Sequence, residues 1–234
     1  MAADYRYVRH EASYLPVAKI ALENHFLADE DLQVFYDAIA TPARKNQFLR
    51  AASFYYYAVK QGDWVVSAPD CNPIVDYFTN SYKAVGLFSI IESLSDGAHQ
   101  DFYSWLQTKR DTALPIPNLA TLDALYGQYK STYGSIRKCV SFFSRLSVEM
   151  QAKLCSAVEI ERRPVENIKK LAQFLYHTRS KFVHEAEVVL QFSGSMYDFR
   201  ESQLVCTKLT MPLFLSAFEE GLVAYFCDAA QETP

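Results

Sequence analysis

Between Pro73 and Leu94 the apolar side chains Ile74, Tyr77, Phe78, Tyr82, Val85, Phe88, Ile91 and Leu94 recur mostly at steps of three and four. That period predicts one long amphipathic helix, with a natural stop near Asp96-Gly97. A helix with one apolar face is stable in water only when that face is covered, so this segment must be central to a core that the rest of the chain supplies. Turn residues limit what those partners can be. Only 7 Gly and 9 Pro occur among 234 residues, too few for the frequent turns of a sandwich or barrel. Half of the residues are hydrophobic and 15% are aromatic, enough apolar surface to offset conformational entropy and to exclude a disordered chain.

The remaining segments fit a mostly α-helical bundle. Leu32, Phe35, Tyr36 and Ile39 mark a helix from Asp29 to about Ala40 behind an acidic first turn, and Pro42 opens another that reaches Gly62. Within that second segment Phe54 to Tyr57 could equally be a buried strand, and Trp64-Val65-Val66 is ambiguous. A short helix is expected around Phe102 to Leu106, then a loop with Pro115 and Pro117, then two helical stretches from Leu119 to Leu146. Ser147 can cap a helix to about Ala157. Pro164 is expected to open a helix buried through Val165, Ile168, Leu171, Ala172, Leu175 and Tyr176. Ser193-Gly194-Ser195 is a turn between two partly β-branched runs, either a small hairpin or a plain loop, and a last helix runs from about Pro212 to Cys227.

With 23 Lys+Arg against 27 Asp+Glu the net charge is -4, so there is no global positive field to hold nucleic acid non-specifically. The five cysteines, Cys71, Cys139, Cys155, Cys206 and Cys227, are odd in number and widely spaced. They argue against a disulfide framework and a zinc site and are expected to be buried thiols in a reducing compartment. The residues Asp4, Arg6, Arg9, His10 and Glu11 interrupt any apolar leader, and no later run approaches a membrane span, so a cytoplasmic protein with no membrane partner is expected. His10, His25 and His99 have no second ligand at metal spacing. Tyr55-Tyr56-Tyr57 and Phe142-Phe143 are expected in the core rather than stacked on bases. Arg162, Arg163, Lys169 and Lys170 interleave with Glu159, Glu161 and Glu166, as a solvated helix face does.

The stretch Leu175 to Glu187, LYHTRSKFVHEAE, is the best candidate for chemistry. On a helix His177 and His184 share a face, Ser180 and His184 are adjacent, and Arg179 is offset from His184 by about 140°. Arg179 and His184 can converge only if the helix is distorted between them or if both point into a groove shared with another surface. The structural alternative is that Arg179 and Lys181 are solvated and His184 is a satisfied helix-end histidine. Glu92, the one ionisable side chain in an otherwise apolar helix stretch, could either bind Arg179 across the bundle or face solvent.

The sequence RSKFVH, an Arg followed by a polar residue and then a His after four intervening residues near the end of a long helix, resembles the R-x4-6-H signature of HEPN domains. With the earlier helix YKAVGLFSIIESLSD and the terminal amphipathic helix, LYHTRSKFVHEAE is similar to the Apea-like HEPN branch of bacterial proteins. The resemblance covers roughly Asn72 to Phe226. It implies a HEPN-like helical bundle over residues 72–234, with residues 1–71 as an N-terminal helical or mixed extension packed on it. It also implies a homodimer whose two Arg/His pairs share one cleft, acting on RNA as an endoribonuclease without metal or cofactor, in a bacterial defence or toxin-antitoxin setting.

In that reading His184 is the acid/base toward the ribose 2′-hydroxyl or the leaving 5′-oxygen, and Arg179 clamps the phosphate. Ser180 stands where many members carry Asn, Asp or His, with Lys181, His177, Tyr176 and Glu92 in supporting or phosphate-binding places. The position after the histidine, often Gly in the family, is Glu185, a carboxylate that could pair with Arg179 or His184 and would repel RNA phosphate. The alternative is a non-catalytic HEPN-like module that binds a protein or nucleotide partner.

Overall fold

The computed structural model describes residues 11–62, 72–94, 100–186, 192, 194, 196–200 and 203–228. His10, Trp64 to Val66, Cys71, Asp96-Gly97, His99, Glu187, Ser193 and Ser195 lie outside the described residues. The architecture is mostly α-helical, in the order α1 (Glu11–Ala21), α2 (Asp29–Ala38), α3 (Pro42–Phe54), α4 (Asn72–Ser93), α5 (Phe102–Thr108) and α6 (Arg110–Ala113). Then follow α7 (Leu119–Tyr133), α8 (Ser135–Phe143), α9 (Val148–Ser156), α10 (Ile168–Glu185) and α11 (Met211–Asp228). No helix among the described residues is long and apolar enough to cross a membrane.

Local chemistry accounts for most helix starts. Thr41, Asp101, Asn118, Ser147 and Asn167 each accept a hydrogen bond from the backbone N–H three residues on, satisfying one of the donors that the first turn leaves open. α3 continues past Phe54 into a π-helical segment, Tyr55–Lys60, so the strand alternative there is excluded. The wider turn points Tyr55 inward and leaves Tyr57 exposed.

α4 is buried on a broader face than its apolar stripe alone indicates. Ala84, Leu87, Phe88, Ile90, Ile91 and Leu94 are buried, whereas Phe78 and Tyr82 are exposed. The cause is packing on two sides, against the π-helical segment and against α8 and α10. At the centre Phe88 meets Phe143 and Phe214, with ring centroids 6.4 and 6.2 Å apart, within the range of favourable aromatic pairing.

Pro164 does not open α10. It ends a short strand, β2 (Arg163–Pro164), that pairs antiparallel with β1 (Val158–Ile160), and the helix starts after the Asn167 cap. Glu161 and Arg162 make the connecting turn with φ of 51° and 63°, the left-handed pair that a two-residue hairpin requires and that usually falls to Asn or Gly. Glu161 steadies it by donating its N–H to Leu204 O and accepting from Leu204 N–H on its carboxylate. A second hairpin joins β3 (Met196–Arg200) to β4 (Gln203–Thr207), completing an antiparallel sheet of order β2-β1-β4-β3 among the described residues. Its reversal lies between Arg200 and Gln203 rather than at Gly194, which instead donates to Leu209 O.

The last helix is tied to the N-terminal segments by apolar and polar contacts. Phe226 packs edge-on against Phe48, and Tyr55 donates a 2.5 Å hydrogen bond to the buried Glu219 carboxylate, which Lys60 approaches to 3.6 Å. Burial, with the Glu219 carboxylate adding to it, pushes the Tyr55 hydroxyl far up, so it stays a donor. Removing that donor in Tyr55→Phe is expected to cost about 1.5–3 kcal/mol in urea unfolding, the range for a hydrogen bond to a charged group. Gly221 sits where α11 meets α8: an added Cβ would lie 2.6 Å from Phe142, whose ring is itself stacked on Phe218. Gly221→Ala is therefore expected to destabilise by about 1–3 kcal/mol, despite its better helix propensity.

Candidate functional site

α10 positions every side chain of the R-x4-H stretch. Its inner face, Leu171, Ala172, Leu175 and Thr178, is buried, and the helix runs without interruption through Glu185 before Ala186 turns left-handed at φ 58°. An unbroken helix keeps Arg179 and His184 about 140° apart around the axis. Arg179 lies next to the buried face, with its side chain only 14% exposed. His177, His184 and Glu185 are exposed, while Ser180 and Lys181 are half-buried.

Three of the candidate residues come together. Arg179 Nη2 lies 3.5 Å from Glu92 Oε1 on α4, so Glu92 takes the cross-bundle alternative rather than the solvent one. The same guanidinium lies over the Tyr176 ring at 5.6 Å, and Tyr176 in turn stands edge-on to Phe88. Arg179 Nε is buried without a hydrogen-bond partner, so the guanidinium is held by charge and ring contact rather than by a two-pronged fork. His184 does not join this group: on the unbroken helix it lies about 140° around the axis from Arg179 and is exposed.

Cys139 on α8 completes the surroundings. Burial pushes its thiol up to about 12, the Glu92 carboxylate adds to the rise, and Arg179 and Lys138 oppose it. Of the other described cysteines Cys206 is buried, Cys155 is half-buried and Cys227 is exposed. The expectation of uniformly buried thiols fails at Cys227 because the last turn of α11 presents that side chain to solvent. The cationic stretch around residues 159 to 170 is solvated as expected, with Lys170 paired to Glu166 at 2.7 Å, although Arg162 and Arg163 belong to the hairpin and not to a helix face.

A second group of chemistry-bearing residues lies outside α10. A cavity of about 400 Å³ is lined by Arg137, Lys138 and Arg145 together with Tyr133, Phe142 and Tyr225. Its signal was present in SIRKCVSFFSR, where Arg137, Ser141 and Arg145 are four apart and so share a helix face. No family model, curated protein or solved structure matches the chain.

Two outcomes follow from this geometry. Arg179→Ala removes the cation facing a carboxylate that is 27% exposed, and is expected to cost about 2 kcal/mol, below the range for fully buried pairs. His184→Ala, at an exposed position, is expected to stay within about 0.5 kcal/mol; urea melts of the two variants check the contrast. Iodoacetamide at pH 8 is expected to leave Cys139 unmodified in the native protein, because burial keeps the thiol protonated and out of the reagent's reach, and mass spectrometry reads the site.

Proposed function

We propose that the chain is a HEPN-like helical module that binds a partner and does not cut RNA, acting in the cytoplasm. The carrying observation is the position of Arg179, turned toward the bundle and engaged by Glu92 and Tyr176. A phosphate clamp must meet a phosphorane from solvent, and a guanidinium committed to an internal carboxylate has to give up that contact first. Glu185, exposed beside His184, adds a negative charge where RNA phosphate would have to approach. The free cysteines, with Cys139 and Cys206 buried, suit a reducing compartment.

One observation favours the nuclease reading instead. Val183 and Tyr82 are 46% and 50% exposed, and Tyr82 packs on Phe182, so an apolar surface adjoins His184 on which two copies could pair. Such a homodimer would bring two His184 side chains near each other, while Arg179 would still face Glu92.

The deciding experiment is incubation of purified wild-type, Arg179→Ala and His184→Ala proteins with structured and single-stranded RNA in chelator. No cleavage above buffer is expected from any of them. Products with 2′,3′-cyclic phosphate ends, formed by the wild type and lost in both variants, would overturn the binding-module reading in favour of the nuclease.

A further inference from the structure

α7 stands apart from the core. None of its 15 residues is buried, although most helices of globular proteins hold in water through a covered apolar face. One side of α7 is accounted for. Tyr129 packs on Phe102 and Trp105 of α5, with ring centroids 5.4 and 5.9 Å apart, and donates its hydroxyl to Gln100 O at 2.9 Å. On the opposite side Ala120, Ala124, Gly127 and Ser131 follow one another at steps of four, three and four, so they form one row facing away from Tyr129. Leu119, Asp123, Tyr126 and Lys130 form the neighbouring row with the same steps. Every residue of both rows is exposed.

Both rows repeat after seven residues, the period that keeps two helices in contact along their length. The first row carries nothing larger than a serine side chain, and a Cβ added at Gly127 would meet nothing within 4 Å, so a second helix can approach to about 8 Å between axes. The second row supplies apolar area, with Leu119 70% and Tyr126 42% exposed. Small side chains permit close approach but name no partner; the charges beside them do. Asp123 and Lys130 lie on one flank of that face, and the Lys130 ammonium is held 4.0 Å over the Tyr126 ring between them. When α7 pairs antiparallel with a copy of itself about a two-fold axis between Tyr126 and Gly127, each Asp123 stands opposite the partner's Lys130. A parallel pairing would instead set each charge beside its own copy.

We propose that the outer face of α7 binds a second copy of this chain, packed antiparallel across Gly127 with two Asp123–Lys130 contacts fixing the register. Exposed ion pairs add little affinity and act mainly on specificity. Two helices of this length bury an area at the low end of specific interfaces, so the dimer is weak, with a Kd on the order of 10 µM. The surface uses neither Arg179 nor His184 and differs from the one at Tyr82 and Val183, so it stands whether or not the chain cleaves RNA.

The test is sedimentation velocity of the full chain between about 1 and 300 µM, repeated with Asp123→Lys, Lys130→Asp, an equimolar mixture of those two, and Gly127→Leu. The wild type is expected to pass from monomer to dimer over that range. Each charge reversal creates two like-charge contacts in a two-fold dimer and is expected to weaken it about tenfold or more. In the mixture every reversed charge meets an opposite one, so a heterodimer is expected to form within about threefold of wild-type affinity. Gly127→Leu is expected to abolish the dimer by steric wedging while its melting temperature stays at or above that of the wild type, because leucine is the better helix former at an exposed position. Thermal melts of the charge variants, expected to match the wild type, confirm that they fold. A wild type that stays monomeric throughout, a dimer that survives the reversals or Gly127→Leu, or reversed variants that fail to pair when mixed would overturn the proposal. A dimer unmoved by all of these changes would place the contact on another face, such as the one at Tyr82 and Val183. RNA cleavage is read separately, so failure here is distinguishable from failure of the binding-module reading.

Discussion

A guanidinium drawn largely out of water must keep an anion close, and the Arg179–Glu92 contact is where this structure meets that requirement. The contact joins α10 to α4 at the level where Phe88 meets Tyr176. It therefore sets the rotation of α10, and with it the outward direction of His177, His184 and Glu185. Turning Arg179 to solvent would carry Leu175 and Thr178 out of the core with it, since all lie on neighbouring positions of one unbroken helix. The apolar packing and the ion pair thus favour the same orientation, which is the kind of agreement between levels that gives a single native arrangement.

Glu92 links this pair to the cationic cavity. Its carboxylate faces Arg179 while its main-chain carbonyl accepts from Lys138, one of the cavity's cations. The same residue thus ties both α10 and α8 to α4, one through its carboxylate and the other through its main-chain carbonyl.

The helices were legible because their signals are local. Asn118, Ser147 and Asn167 cap as their types suggest, and the apolar period persists through α4, α10 and α11. The sheet was not legible, since β1 and β2 are short and Glu161 and Arg162 make their turn with residues that carry no turn signature. Pro164 illustrates the same difficulty: it is compatible with a helix start and with a strand end, and only the pairing with β1 decides. Glu219 is one of two adjacent glutamates in the last helix, and nothing nearby in sequence marks it as buried, because its partners Tyr55 and Lys60 are distant along the chain. At the candidate site the five-residue spacing correctly indicated that Arg179 and His184 diverge on a regular helix, while the partner of Arg179 remained one of two alternatives until α4 and α10 were placed side by side. The cavity depended on α4, α7, α8 and α11 meeting, so only the α8 part of it was visible in advance.

The most direct measurement is a double-mutant cycle on Glu92→Ala and Arg179→Ala by urea unfolding of the purified protein. A structural ion pair requires a coupling of about 1–3 kcal/mol, with the double variant less destabilised than the two single losses together imply. Strictly additive effects, with no coupling between the two positions, would contradict the structural role of Arg179 and return it to solvent as a candidate phosphate clamp.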